Sequence, residues 1–298
     1  MTAHLPHLGS GLGYRRELAD GIAASGNAVD WLEVITEHYL FAPPDSRQAL
    51  RELRRGHPLV PHGLELSLGS PRPPDPHYVA ALAELVAEID APWFSDHLCF
   101  TRSEDISVGT LTPLPRSRAV ARDVARRAQQ VQDEVGVPLI LENITYHIDL
   151  PNPLSEAQFI AEVMEHCTCG LLLDLTNLDI NSRNHHYDVA DFLDTIPLER
   201  VVQVHLAGGT QDPDGTARDT HSAPVPERVW TLLAELSART DIKATLLERD
   251  QDFPEDFAEI TAEIDRARDT VGPRFAPPVR RAEPGAAAPA AARGRGAR

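Results

Sequence analysis

Cysteine is scarce in this chain. Its three cysteines, Cys99, Cys167 and Cys169, are an odd number with one tight pair, which excludes the disulfide framework of a small secreted protein. Cys167-x-Cys169 falls where a helix is expected to end and a strand to begin, so buried thiols are the expected state rather than metal ligands. Long apolar runs are missing as well: no segment approaches the ~20 apolar residues of a membrane span, and no basic patch followed by an apolar run opens the chain. A cytoplasmic protein with no membrane association is expected. Basic charge is in deficit, at 28 Lys and Arg against 45 Asp and Glu, for a formal net charge of −17. That balance argues against nucleic acid or anionic lipid as a partner. There is no Gly-rich phosphate loop, no nucleotide fingerprint and no serine in a nucleophile elbow.

What is present is one kind of strand ending, repeated. Val137-Pro138-Leu139-Ile140-Leu141-Glu142-Asn143 is a short apolar run rich in branched side chains that closes on a carboxylate and an amide. It reads as a buried parallel strand with a polar tip. Burying a bare carboxylate costs several kcal/mol unless a partner or a metal compensates it, so the tip needs an explanation. The pattern recurs: Gly170-Leu171-Leu172-Leu173 runs into Asp174 and Asn177, Val201-Val202-Gln203-Val204 into His205, and Ala244-Thr245-Leu246-Leu247 into Glu248. Trp93-Phe94-Ser95 precedes Asp96 and His97, Leu59-Val60-Pro61 precedes His62, and Trp31-Leu32 precedes Glu33, with Glu37 and His38 beyond. Alternation with period two puts Ile140 with Glu142, Leu172 with Asp174, Gln203 with His205 and Leu246 with Glu248 on faces that point to a common interior.

Helical patterns separate these strands at residues 15–24, 45–55, 77–89, 115–135, 155–166, 188–195, 226–237 and 254–268. Asp45 is the expected cap of the second, and a capping-type Ser155-Glu156 opens the fifth. Residues 101–114 read as a polar loop at the substrate entrance, and His185 and His186 as part of the loop after the sixth strand. Strand and helix alternate with repeats of roughly 30 to 45 residues, the signature of a (β/α)8 TIM barrel. One catalytic domain is expected over residues 1–271. Residues 272–298, rich in Ala, Pro and Arg, are expected to be disordered.

In a parallel barrel the carboxyl ends of the strands form one mouth, so His62, His97, Glu142, Asp174, His205 and Glu248 are expected to converge there. Asp219 and His221 can face the same way in an extended Asp-Thr-His segment and complete another site, with Asn177 nearby in sequence to Asp174. A set of histidines and carboxylates without cysteine suits Fe, Mn or Zn, and a glutamate can bridge two such ions. Asp96 is expected to orient its neighbours rather than bind an ion. A single strand-end histidine is ordinarily a hydrogen-bonded core residue; the inference rests on the whole set.

Eight ordered motifs carry a resemblance. They are Pro61-His62-Gly63 with Ser67-Leu68-Gly69, Ser95-Asp96-His97-Leu98, Leu141-Glu142-Asn143, Leu172-Leu173-Asp174 with Asn177, Arg183-Asn184-His185, His205-Leu206-Ala207-Gly208, Asp219-Thr220-His221 and Leu247-Glu248-Arg249-Asp250. In order and spacing the chain resembles the DUF692, or multinuclear non-haem iron-dependent oxidative enzyme, family. The resemblance implies a barrel holding two or three iron ions, with Glu142, Asp174 and His205 at the catalytic centre. By motif, His62, His97 and Glu142 would hold one ion, Glu142, Asp174, His205 and Glu248 a second, and Asn177, Asp219 and His221 a third. It further implies dioxygen as co-substrate, a Cys-containing ribosomally made precursor peptide as substrate, and a small partner protein that presents the peptide. Glu37-His38-Tyr39 and Asp174-Leu175-Thr176-Asn177 depart from the family pattern near the substrate pocket and leave the ligand set intact. The alternative reading is a metal-dependent hydrolase or isomerase of the xylose isomerase or endonuclease IV type, whose barrels also place His, Asp and Glu at strand ends.

Overall fold

Eight parallel strands close into a barrel in the computed structural model, which describes residues 4–103, 106–149 and 151–272. The first half of the chain supplies β1 (Gly9–Gly13), α1 (Ala19–Ala24), β2 (Leu32–Ile35), α2 (Pro44–Gly56), β3 (Leu59–Gly63), α3 (Pro76–Ile89) and β4 (Phe94–His97). A hairpin of β5 (Phe100–Ser103) and β6 (Ile106–Thr112) follows, then α4 (Arg118–Val135), β7 (Leu139–Glu142) and α5 (Glu156–Glu165). The second half supplies β8 (Gly170–Asp174), α6 (Leu175–His185), α7 (Val189–Thr195), β9 (Val201–Ala207) and the short pair β10 (Thr210–Gln211) and β11 (Ala217–Arg218). It ends with α8 (Glu227–Arg239), β12 (Ala244–Glu248) and α9 (Ala258–Val271). Around the barrel the order is β1-β12-β9-β8-β7-β4-β3-β2, so β4, β7, β8, β9 and β12 lie side by side.

Inside the barrel, Trp31, Val60, Trp93, Ile140, Leu172 and Leu246 form a buried apolar layer. Ile140, Leu172 and Leu246 stand two residues before Glu142, Asp174 and Glu248, so the strand alternation that fills the floor also turns the acids inward. Gly11 makes room for this layer, since a Cβ there would come within 2.5 Å of the Trp31 indole. Outside, the apolar faces of the helices pack on the strands, as with Leu82, Leu85 and Val86 of α3 and Val124, Ala128 and Val131 of α4.

Four sequence expectations change. Residues 101–114 are mostly the antiparallel hairpin β5–β6 rather than a loop, its second strand largely exposed. Alternation without a buried face hid it. His185 ends α6 and His186 is its left-handed cap at φ 58°, so neither lies in a loop. The linear pattern does not show that helix because every residue from Leu175 to Ser182 is buried, which removes the polar face that makes a helix legible. Pro43, not Asp45, is the cap of α2; Asp45 lies in its first turn, where its charge suits the helix dipole. Ser155 does cap α5, but the reciprocal partner in its capping box is Gln158 rather than Glu156. The expected tail lies outside the described residues from residue 273 onward. Among the described residues no helix is long and apolar enough to cross a membrane.

Candidate metal centre

His97, Glu142, Asp174 and Glu248 are the last residues of β4, β7, β8 and β12, and His62 and His205 stand near the ends of β3 and β9. Strand pairing places His97 beside Glu142 and Asp174 beside His205. All six are buried, and Asp174 and His205 are fully enclosed. The convergence expected at one mouth is therefore present.

Glu142 occupies the middle. Its Oε2 lies 3.3 Å from Nε2 of His62 and 3.2 Å from Nε2 of His97. Its Oε1 lies 3.3 Å from Nδ1 of His205, which is also 3.1 Å from Oε2 of Glu248. Two donor groups result, His62 with His97 and Glu142, and Glu142 with Asp174, His205 and Glu248; within each, one ligand atom per residue lies within 4.8 Å of the others. Asp219 and His221 also meet, Oδ1 to Nε2, at 2.7 Å. His221 has a left-handed backbone at φ 48°, so the triplet is not simply extended. Asn177 sits in the first turn of α6, giving its N–H to Oδ1 of Asp174 and its Nδ2 to the carbonyl of Asn143.

Each histidine is held from behind. His97 Nδ1 lies 3.1 Å from the Gly63 carbonyl, which can only accept, so Nδ1 carries the hydrogen and Nε2 faces Glu142 bare. His62 Nδ1 bonds Ser95 Oγ at 2.8 Å, His205 Nε2 faces Glu33 Oε2 at 3.2 Å, and His221 Nδ1 faces Asp250 Oδ2 at 3.1 Å. Asn143 ties two strand tips together: its Oδ1 accepts the Asp174 N–H and its Nδ2 donates to the Asp174 carbonyl. Asp96 accepts the backbone N–H groups of His97 and Leu66, the orienting part expected of it. The linear pattern gives Ser95 and Asp250 no role, because Ser95 meets His62 from a neighbouring strand and Asp250 meets His221 between two loops. Cys167 and Cys169 are buried and free at the start of β8, at the other end of the barrel.

The buried polar atoms of these groups fit a bound cation. Glu142 Oε2, Asp174 Oδ2, Asn177 Oδ1, His205 Nδ1, Asp219 Oδ1 and His221 Nε2 are buried without an aligned hydrogen bond, an arrangement native proteins otherwise avoid. Burial pushes the Asp174 carboxyl well above its usual range, and the charges of Glu142, Asp219 and Glu248 add to the effect. Burial also pushes Glu142 upward, but the imidazoles of His205, His97 and His62 outweigh it and hold that carboxyl at about 2. His97 is lowered to about 4, chiefly by burial, so it is neutral and available as a ligand near pH 7.

Residues 9–271 match the family model for the RiPP precursor modification enzymes MbnB/TglH/ChrH. The chain belongs to this family. MbnB/TglH/ChrH membership makes it an enzyme of RiPP precursor modification. A UPF0276 protein of Rhizorhabdus wittichii is 37% identical over 263 residues, covering 87% of this chain and 93% of its own. The UPF0276 protein PA3283 of Pseudomonas aeruginosa is 37% identical over 262 residues, covering 88% and 92%. Among solved structures, D-psicose 3-epimerase from Clostridium cellulolyticum superposes with a TM-score of 0.58 at 12% identity, over 88% of this chain and 99% of that one. Endonuclease IV from Thermus thermophilus gives 0.56 at 18% identity, over 88% and 98%. At such identities these two likenesses establish the barrel fold alone.

Proposed function

We propose that this protein is a non-haem iron oxidase or oxygenase that uses dioxygen to modify cysteine residues of a ribosomally made precursor peptide. The observation that carries the reading is the division of Glu142, with one oxygen toward His62 and His97 and the other toward His205. A carboxylate so placed suits two cations at once. The orphaned polar atoms and the crowding of acids around Asp174 fit a site completed by cations. Nitrogen and oxygen donors without thiolate suit a borderline ion, and the motif resemblance selects iron.

In this reading His62, His97 and Glu142 hold one ion, Glu142, Asp174, His205 and Glu248 a second, and Asn177, Asp219 and His221 a third. Iron bound there supplies the one-electron and dioxygen chemistry that side chains lack. The protein's own groups set the geometry: the Gly63 carbonyl holds the Nδ1 hydrogen of His97 and leaves its Nε2 bare toward the centre, and Asp250 faces Nδ1 of His221 from behind. A cavity of about 750 Å³ beside Asp219, walled by Leu111, Pro113, Leu114 and Ile148, gives the peptide its approach. A small partner protein presents the peptide.

The test is to load the protein with Fe(II) without air, then admit oxygen with a synthetic Cys-containing peptide encoded by a short neighbouring reading frame. Oxygen uptake and a mass change that disappear when the cysteine is replaced by serine support the proposal. Failure to retain iron, or turnover of a sugar or an abasic site without oxygen, overturns it in favour of the isomerase or hydrolase reading.

A further inference from the structure

His205 is gripped on its far side by a group that neither donor cluster contains. Glu33, on β2, is 4% exposed and points across the barrel so that its Oε2 lies 3.2 Å from Nε2 of His205. A buried carboxylate so deep in a barrel needs partners, and it has two. The second is Gln203, whose Nε2 lies 2.6 Å from the same oxygen and 2.8 Å from His205 Nε2. The direction of the Gln203 amide is settled by Trp93, whose indole N–H donates to Gln203 Oε1 at 2.9 Å. An indole N–H cannot accept, so the NH2 end of Gln203 must face Glu33. Trp93, just before β4, Gln203 on β9 and Glu33 on β2 thus form a buried chain that ends on His205.

We infer that Glu33 is a positioning residue for the metal centre: together with Gln203 it grips the Nε2 edge of His205 from behind and keeps Nδ1 turned toward Glu142 and Glu248. The inference rests on the reading of the shared Glu142 cluster as a metal site. A polar grip on the far edge of a histidine fixes its ring plane. Gln203 holds the Glu33 carboxylate in line, and Trp93 holds Gln203.

Metal binding by the chelator-stripped full chain is the test, with Co(II) as the probe. Affinity is read by calorimetry, coordination by the visible cobalt spectrum, and folding by the melting temperature of the metal-free protein. Glu33→Ala is expected to weaken one Co(II) site by about 10- to 100-fold and alter its spectrum, leaving the His62–His97 site occupied. Glu33→Gln, which keeps an acceptor oxygen without the charge, is expected to retain part of the affinity. Trp93→Phe, which keeps an aromatic ring and removes the N–H, gives a smaller loss of the same sign and serves if Glu33→Ala does not fold. Unchanged affinity and spectrum in Glu33→Gln and Trp93→Phe, with only the melting temperature lowered, would reduce Glu33 to a packing role and overturn the inference. Wild-type protein that takes up no Co(II) would instead remove the metal centre itself.

Discussion

Glu142 Oε1 lies 3.3 Å from His205 Nδ1 while its other oxygen faces two imidazoles across the mouth. One carboxylate thereby joins two donor sets that come from β3, β4, β8, β9 and β12. Its loss is expected to be felt in both, whereas the loss of a peripheral ligand is expected to be felt in one. Metal analysis of anaerobically reconstituted protein should show His97→Ala losing about one ion per chain and Glu142→Ala about two. Equal losses in the two variants would show that Glu142 does not bridge.

Asn143 fastens the tip of β8 through both backbone groups of Asp174. Asn143→Ala leaves the buried Asp174 N–H unpaired, at a cost of about 1–3 kcal/mol, while the Asp174 carbonyl, at the N-cap of α6, keeps its bond to the helix. Urea unfolding of the metal-free protein should therefore show a loss of about 1–3 kcal/mol. A loss below about 1 kcal/mol would mean that water replaces the amide.

The acid at the first position of α5 predicts a pH effect remote from the centre. Burial pushes the Glu156 carboxyl up to about 7, against the nearby Arg116 guanidinium, and the Tyr187 hydroxyl donates to it at 3.2 Å. The folded protein thus holds a proton that the unfolded chain releases near 4.5. Its favourable contribution is complete below pH 4.5, fades as pH rises, and is gone above about 7. Glu156→Gln is therefore expected to be neutral at about pH 4 and stabilising at about pH 8 by up to about 3 kcal/mol. Denaturation at the two pH values should show that divergence, and equal stability of both proteins at the higher pH would refute it.

Ile148 is 71% exposed on the wall of the cavity beside Asp219. Ile148→Asp should leave folding and metal content intact. Removing an apolar contact worth about 1.5–3 kcal/mol should raise the KM for the peptide by about tenfold or more with little change in kcat. Unchanged KM would place the peptide elsewhere.

Much of this molecule is readable from strand endings. Leu172 before Asp174, or Leu246 before Glu248, carries both the burial and the face of the acid, because side chains alternate along a strand whatever surrounds it. The alternation of strand and helix in turn brings those tips to one mouth. What the linear pattern could not carry is how each tip is held. Glu33 meets His205 only because closing the barrel faces β2 across to β9. Gln203 reaches both after a bulge at Val202 shifts the pairing of β8 with β9. The helix over Leu175–His185 was hidden because burial on all sides erases periodicity, and the hairpin at Phe100–Thr112 because an exposed ribbon has no apolar face to show. Local chemistry decided which residues enter the mouth, while tertiary closure decided which nitrogen of each histidine faces inward, since that choice is made by a partner from another strand.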